Sequence, residues 1–492
     1  MQSSARPRFA ILGAGMSGIL AAIKLKQAGY DFTVFEKADK VGGTWRENTY
    51  PGIACDVPSH LYCYSFELNP EWSYTSSPGS EIQAYFEGVT KRYGLEDSMR
   101  FGDPVVRCEL SGGSDGRWEV ETGAGFIDHF EWVIAATGIL HHPKFPDIEG
   151  LDHFEGAMFH SALWDHDVSL DGRRIGVIGN GSSGVQITGA LAPRVGKFSL
   201  FQRTAQWVVP IEQVAYTEDQ RAEFRTDADL LRKMHEELSV AFNDGFATAV
   251  LDGESDMVEG IEKQCREYLE SRIVDPELRE KLRPNYRAAC KRLVVSHNFY
   301  DSIQHPNAEL VTESIDRVEP GGVRTSDGRL HELDVLVLAT GFKVDRFMRP
   351  MTIRGEDGLL LDDVWSKRPS AYLAVAVPKF PNLFMLNGPN SPVGNFSLVQ
   401  TAELQLDYVL KLVDLVREGT LEVAVPSVDA AARFEEERTE AAKQTVWATG
   451  CRSWYLDDRG IPFAWPFPFT RFRSEMAAPR LDDYVAPISA AE

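Results

Sequence analysis

At 492 residues the chain is too long for a single hydrophobic core, so two or three domains are predicted. Its 43% hydrophobic and 25% charged content is that of a globular protein, and a formal net charge of −22 with no basic stripe excludes nucleic acid as the expected partner. No apolar run approaches the roughly 18 residues of a membrane helix, so no membrane partner is expected. Residues 1–8 lack the pattern of a signal peptide. The six cysteines, Cys55, Cys63, Cys108, Cys265, Cys290 and Cys451, show neither a Cys-x-x-Cys nor a metal-ligand spacing. They read as reduced thiols in a cytoplasmic protein, with no metal expected.

In chain order, residues 9–12 form a short apolar strand that runs into Gly13-Ala-Gly15-Met-Ser17-Gly18 and then a helical pattern through Ile19, Ala22, Ile23 and Leu25. The first two glycines permit a tight turn and close approach to a pyrophosphate, and the third lets the helix pack on the strand. A second strand at 32–35 ends in Glu36, placed for an acid that accepts from ribose hydroxyls. The loop that follows, Gly42-Gly43-Thr44-Trp45 to Tyr50-Pro51-Gly52 and Asp56, is dense in glycine, proline and aromatics. Its paired glycines suggest a second approach to the same cofactor. Asp56 reads either as a turn residue or as a carboxylate near the redox centre.

Residues 128–136 are predicted as one strand ending Ala136-Thr137-Gly138, and Pro143, Pro146 and Gly150 mark a boundary. The connector 154–165 carries large aromatics and a single His, unlike a solvated linker. It reads as an element that holds two nucleotide seats in register, or as an ordinary buried connection with His160 in the core. Gly179-Asn-Gly181-Ser182-Ser183-Gly184 then repeats the strand–loop–helix pattern. Its next strand, at 198–201, ends in Gln202-Arg203-Thr204 rather than an acid, which suits the 2′-phosphate of NADPH. From 217 to about 283 the spacing is helical and charged, predicting an insertion. Residues 333–338 form a strand ending Ala339-Thr340-Gly341, an echo of the first domain. A helix follows with Leu406, Val409, Leu410, Val413 and Val416 on one face and Gly419 as its stop. The aromatic, proline-rich tail is expected to fold over something, since exposed it would aggregate. Residues 487–492 are expected to fray.

With these residues in view the chain resembles a class B flavoprotein monooxygenase, and within that class a Baeyer–Villiger monooxygenase. Phe154-x-Gly156-x-x-x-His160-x-x-x-Trp164-Asp165 matches the family's short fingerprint, and Gly42-Gly43-x-Trp45 with Tyr50-Pro51-Gly52 and Asp56 matches the longer one. The resemblance implies FAD on the first loop, with contacts from Gly13, Gly15, Ser17, Gly18, Glu36, Gly43, Thr44, Trp45, Asp56, Tyr62, Val106 and Leu398. It implies NADPH on the second, with Gly179, Gly181, Ser182, Ser183, Gly184, Arg203, Thr204, Lys291, Arg292 and Trp454. The catalytic pair it implies is Arg292, holding a flavin C4a-peroxide as an anion, and Asp56, orienting Arg292. The fingerprint residues would position the second domain.

The implied fold class is α/β: two Rossmann-like dinucleotide-binding domains, for FAD and NADPH, with a helical insertion in the second. The expected division is 1–142 and 387–492 for the FAD-binding domain, the latter including a substrate-covering tail. NADPH binding falls to 143–213 and 291–386, and the insertion to 214–290. The implied reaction is oxygenation of a ketone by O2 to an ester or lactone. N- or S-hydroxylation by the same class is the nearest alternative; those relatives need no Asp–Arg pair. A disulfide reductase would need a redox cysteine pair that is absent here. A flavoprotein that binds both nucleotides without oxygenating anything remains the non-enzymatic reading.

Overall fold

The computed structural model describes residues 7–111, 116–394, 396–451 and 453–485. The expected fraying at 487–492 lies outside the described residues. Two parallel sheets of five strands organise the chain. The first has the order Leu383–Met385, Trp132–Ala135, Arg8–Leu12, Asp31–Phe35, Met99–Arg100. The second has the order Ala157–His160, Val335–Leu338, Arg174–Ile178, Lys197–Phe201, Ala308–Val311. The two orders correspond strand for strand. Each sheet centres on the strand that feeds a glycine loop, with the ribose-position strand on one side and the Ala-Thr-Gly strand on the other. The fingerprint strand Ala157–His160 therefore holds the edge that Leu383–Met385 holds in the first sheet.

The correspondence reaches atomic packing. A Cβ on Gly18 would overlap the Gly13 carbonyl oxygen, and one on Gly184 would overlap that of Gly179. Only glycine lets the helices Met16–Gln27 and Ser182–Leu191 sit so close to their strands. Phe9, Ala10, Ile11, Ile175 and Val177 are fully buried, as expected of parallel strands covered on both faces.

The insertion is helical, with Glu218–Thr226, Ala228–Ser239, a π-helical Val240–Ala247, Asp256–Arg272 and Pro276–Lys281. Its first helix is fixed by a capping box between Thr217 and Gln220. Strands Val208–Pro210 and Val294–Ser296 pair at its entrance and exit and close it into a loop. The helix Leu398–Arg417 buries Leu406, Val409 and Val413, and Gly419 follows it at φ +78°. The aromatic tail is folded in, with Trp465 and Phe472 fully buried. Among the described residues no helix is long and apolar enough to cross a membrane.

Three expectations differ from the structure. The strand expected at 128–136 is two strands, Ile127–Phe130 and Trp132–Ala135. Between them Glu131 binds Arg8 at both its N–H and its carboxylate, as the chain passes from an antiparallel sheet into the parallel one. The return to the first domain comes before the expected residue 387: Thr352–Arg354 pairs with Val105–Leu110, and Leu383–Met385 edges the first sheet. Short buried strands of the two domains have the same apolar texture, so the sequence does not mark the crossing. Finally, Cys290 and Cys451 form a disulfide, with Cα atoms 6.2 Å apart, while Cys55, Cys63, Cys108 and Cys265 are free and buried. A separation of 161 residues hides this pairing from any local spacing rule.

Candidate active site

At the first loop, Glu36 is buried and accepts from the N–H groups of Ala14 at 2.7 Å and Ala38 at 3.0 Å. Arg46 adds a bond at 3.2 Å. A carboxylate has about four acceptor positions, so Glu36 keeps capacity for a ribose hydroxyl. Arg46 was not anticipated; its only signal is its place after Trp45. The paired glycines fold back on the loop: the Gly42 N–H donates to Ala14 O at 3.0 Å, and a Cβ on Gly15 would stand 3.5 Å from the Gly43 Cα. The two glycine backbones thus pass each other with no side chain between them. Thr44 opens the single helical turn Thr44–Glu47. Trp45 donates from Nε1 to the Tyr62 hydroxyl at 3.0 Å. Asn387, also unanticipated, donates to Ser17 Oγ at 3.1 Å and to Leu398 O at 3.2 Å, joining two expected contact residues. Val106 lies on the strand Val105–Leu110 of a separate, mixed sheet and is 43% exposed.

At the second loop, Asn180 bonds Gln202 and the Thr204 carbonyl, each at 2.8 Å. Gln202 in turn donates to Lys281 O at 2.7 Å. Arg203 is exposed and makes no ion pair with any described residue. Lys291 lies near it: burial and the Arg203 charge together lower the Lys291 pKa. Lys291 also stands 4.3 Å from the Tyr286 ring centroid. Two neighbouring cations, neither in an ion pair with a described residue, are of a kind that could hold a phosphate. Gly179, Gly181 and Ser182 lead into the helix N-terminus. Ser183 donates to the Tyr50 hydroxyl at 3.2 Å, and that hydroxyl donates to Gln186 at 2.8 Å. Gln186 then donates to Ala54 O at 3.0 Å. The longer fingerprint is thus clipped to the helix of the other domain. Burial pushes Tyr50 up to about 12, so it remains a hydroxyl at neutral pH.

The connector is built into the second sheet's edge. Strand Ala157–His160 pairs with Val335–Leu338, placing His160 beside Leu338. His160 is fully buried between Phe145 and Phe342, and its Nδ1 accepts from the Ala162 N–H at 3.1 Å. That bond puts the proton on Nε2, and burial lowers the pKa, so the ring is neutral. A Cβ on Gly156 would press on the Phe154 ring and on Asp334 O. Trp164 packs edge-on against Phe159 at 4.9 Å. Asp165 is exposed and caps the turn to Asp167 at 2.9 Å. These are positioning contacts; none offers a proton-transfer chain.

Four distant stretches meet at Arg292. Its Nε and Nη2 donate to Asp56 Oδ2 at 3.1 and 2.5 Å, and its Nη1 donates to the Gly394 carbonyl. Tyr455 from the tail lies against the guanidinium. Burial works against the charge, yet Asp56 and Tyr455 raise the Arg292 pKa above its ordinary value. The side chain keeps 33% of its surface. The arrangement fixes a positive charge at the domain junction, of a kind suited to holding negative charge on oxygen.

The chain matches the model of the flavin-binding monooxygenase-like family over residues 6–351. It is 38% identical over 484 residues to a Baeyer–Villiger monooxygenase of Streptomyces coelicolor, covering 97% of this chain and 92% of the relative. The chain belongs to the Baeyer–Villiger branch of the flavin-binding monooxygenases. It is also 46% identical over 484 residues to an uncharacterized monooxygenase of Mycobacterium tuberculosis, covering 97% and 96% of the two chains. Cyclohexanone monooxygenase from Rhodococcus sp. Phi1 bound to NADP+ superposes with a TM-score of 0.85 at 31% identity, over 96% of this chain and 97% of that one. The protein is therefore an NADPH-dependent flavin monooxygenase that uses FAD.

The residues present fit those cofactors. The bare backbone at Gly15 and Gly43 and the spare capacity of Glu36 suit the dinucleotide of FAD. The Arg203–Lys291 pair suits the extra phosphate of NADPH. In this monooxygenase a cleft of about 720 Å³ runs between the domains and reaches Trp45, Asp56, Gln186 and His297. Trp454, expected at the nicotinamide, is 37% exposed and stacked on Tyr455 at 4.2 Å. The buried tail residue at Arg292 is its neighbour Tyr455, which the sequence reading passed over.

Proposed function

We propose that this enzyme inserts one oxygen atom of O2 beside the carbonyl of a ketone, giving an ester or lactone. The observation that carries the reading is the Arg292–Asp56 pair at the domain junction. FAD bound there would supply the redox chemistry, accepting a hydride from NADPH and reducing O2. The chain's own groups do the rest. The bare backbone at Gly15 and Gly43 and the acid Glu36 would hold FAD, with Ser17, Thr44, Trp45, Tyr62 and Leu398 around it. Arg203, Thr204 and Lys291 hold the 2′-phosphate, and the turn at Ser182 and Ser183 the pyrophosphate.

Arg292 holds negative charge on the attacking oxygen and then on the tetrahedral adduct. Asp56 fixes the guanidinium plane by accepting from two of its N–H groups. An anion of this kind is needed to attack a carbonyl, whereas hydroxylation of a soft nitrogen or sulfur needs no such charge. The connector with Phe154, Gly156, His160, Trp164 and Asp165 keeps the domains aligned, and the aromatic tail favours an apolar ketone. We place the protein in the cytoplasm.

The test is a panel of linear, cyclic and aryl ketones scored for added NADPH oxidation, with products identified by mass. Ester or lactone formed with NADPH and O2 is expected. NADPH oxidation that no ketone accelerates, with only hydrogen peroxide as product, defeats the reading.

A further inference from the structure

We propose that Tyr455 is a second donor of the anion site built around Arg292, its hydroxyl holding negative charge on the reacting oxygen beside the guanidinium. The inference rests on the Baeyer–Villiger reading above. Tyr455 is fully buried, its ring stacked on Trp454 at 4.2 Å and tilted against Trp447 at 5.3 Å. Its hydroxyl reaches Gly394, the residue whose carbonyl accepts from Arg292. A Cβ at position 394 would overlap that hydroxyl, and the backbone there, at φ +100°, also calls for glycine.

The hydroxyl interacts with the Arg292 guanidinium. Among the described residues it nevertheless has no hydrogen-bond partner of good geometry. A guanidinium carries only donors. The tyrosine oxygen can therefore turn a lone pair toward Arg292, but its proton has to go elsewhere. Buried hydroxyls left without an acceptor are uncommon and call for an explanation. A negatively charged oxygen in front of Arg292 supplies that acceptor, and the adjacent cation makes the phenol a stronger donor.

The ring's place is fixed from several sides. The Tyr455 N–H donates to Ser453 Oγ at 3.2 Å, and the Phe463 N–H donates to Tyr455 O at 2.9 Å. The Cys290–Cys451 disulfide joins the stretch before Arg292 to the stretch before Tyr455. Both donors are thus held on one covalently closed unit.

The experiment compares Tyr455→Phe with the wild-type holoenzyme. The substitution removes one oxygen and keeps the ring packing. Ester formed per NADPH should fall about tenfold or more, hydrogen peroxide should rise, and flavin reduction by NADPH should be unchanged. Before any turnover, phenylglyoxal labelling of Arg292, mapped by mass, should accelerate severalfold, since the guanidinium has lost a neighbour that restrains it. Labelling and coupling that both match wild type overturn the proposal. Should Tyr455→Phe not fold, fluorotyrosine at position 455 keeps shape and hydroxyl while making the proton more acidic. The alkaline limb of ester coupling should then move to lower pH, and an unmoved limb overturns the proposal. A wild-type enzyme that makes no ester defeats the functional reading instead, while the labelling comparison still reports on the Tyr455–Arg292 contact.

Discussion

Asp56 Oδ2 accepts from both Nε and Nη2 of Arg292, at 3.1 and 2.5 Å, across 236 residues of chain. Asp56 comes from the loop that follows the first nucleotide seat. Arg292 comes from the exit of the helical insertion, just before the strand Val294–Ser296. The pair exists only when the two domains are docked, so under the proposed function it would couple domain assembly to chemistry.

Arg292→Ala should abolish ester formation while FAD stays bound. A preorganised donor of this type is worth about 3–4 kcal/mol in the transition state, or on the order of a hundred- to a thousandfold in rate. Arg292→Lys should rescue poorly, because a point charge cannot meet Asp56 and the reacting oxygen together. Asp56→Ala should show a milder form of the defect. Product analysis beside NADPH oxidation decides: ester at a near wild-type rate in Arg292→Ala means that the wrong residue has been assigned.

Under the proposed function, coenzyme choice is read at Arg203 and Lys291. Arg203→Ala removes a charge-assisted bond that NADH never makes, worth about 1.5–3 kcal/mol. The KM for NADPH should rise roughly ten- to a hundredfold, with that for NADH nearly unchanged. Equal changes for both coenzymes contradict the assignment.

The connector should matter through geometry. His160 is a buried neutral imidazole, so His160→Ala leaves a void between Phe145 and Phe342 at the edge of the second sheet. A shift of about 1 Å at the reacting atoms costs about a hundredfold in rate, and turnover should fall in that range with FAD still bound. Soluble, FAD-loaded His160→Ala with full turnover would count against a positioning role.

Acid should destabilise the fold through buried histidines. Burial, with the nearby His235, pushes His60 down to about 4. Between that value and the unfolded value of about 6.5, the unfolded chain binds a proton that the native one does not, so stability falls as pH falls. The full effect of His60 is on the order of 3 kcal/mol, complete below about pH 4. Glu403, pushed up to about 7 by burial, works in the opposite sense. The term is therefore read as a difference: melting temperature against pH should be flatter in His60→Gln than in wild type. Parallel curves would remove His60 from the account.

The two nucleotide seats were legible because their chemistry is local. A strand, three glycines and a ribose-position residue fit within one short stretch, and the same stretch forms the same contacts in both domains. Arg292 and Asp56 carried no such local signal. Each is an ordinary charged residue in its own segment: the loop composition leaves Asp56 as either a turn residue or a carboxylate near the redox centre, and only the family resemblance singles out Arg292. Tyr455 carries no local signal either; the resemblance implies its neighbour Trp454, which is 37% exposed and stacked on Tyr455. The disulfide was misread because composition describes cysteines one at a time, whereas the bond depends on where a tail folds.

That disulfide gives the last prediction. Cys290 lies two residues before Arg292, and Cys451 four before Tyr455. The bond closes the insertion and the tail into one unit around the anion site. In a reducing compartment the pair would be held as thiols, so its state is open to measurement. Denatured, unreduced protein should expose four reactive thiols, Cys55, Cys63, Cys108 and Cys265, and reduction should add two. Cys451→Ser should lower stability by about 2–4 kcal/mol, mainly by freeing the unfolded chain. It should also raise proteolysis between Cys451 and Phe463, because the tail then keeps only its packing and hydrogen bonds, such as those to Phe463 O and Pro462 O. FAD binding should persist, since the first nucleotide seat does not involve the bond. Peptide mapping of the oxidised and reduced enzyme reads each outcome. Six reactive thiols in freshly purified, unreduced protein, with tail proteolysis unchanged by Cys451→Ser, would show that the bond plays no part in holding the site.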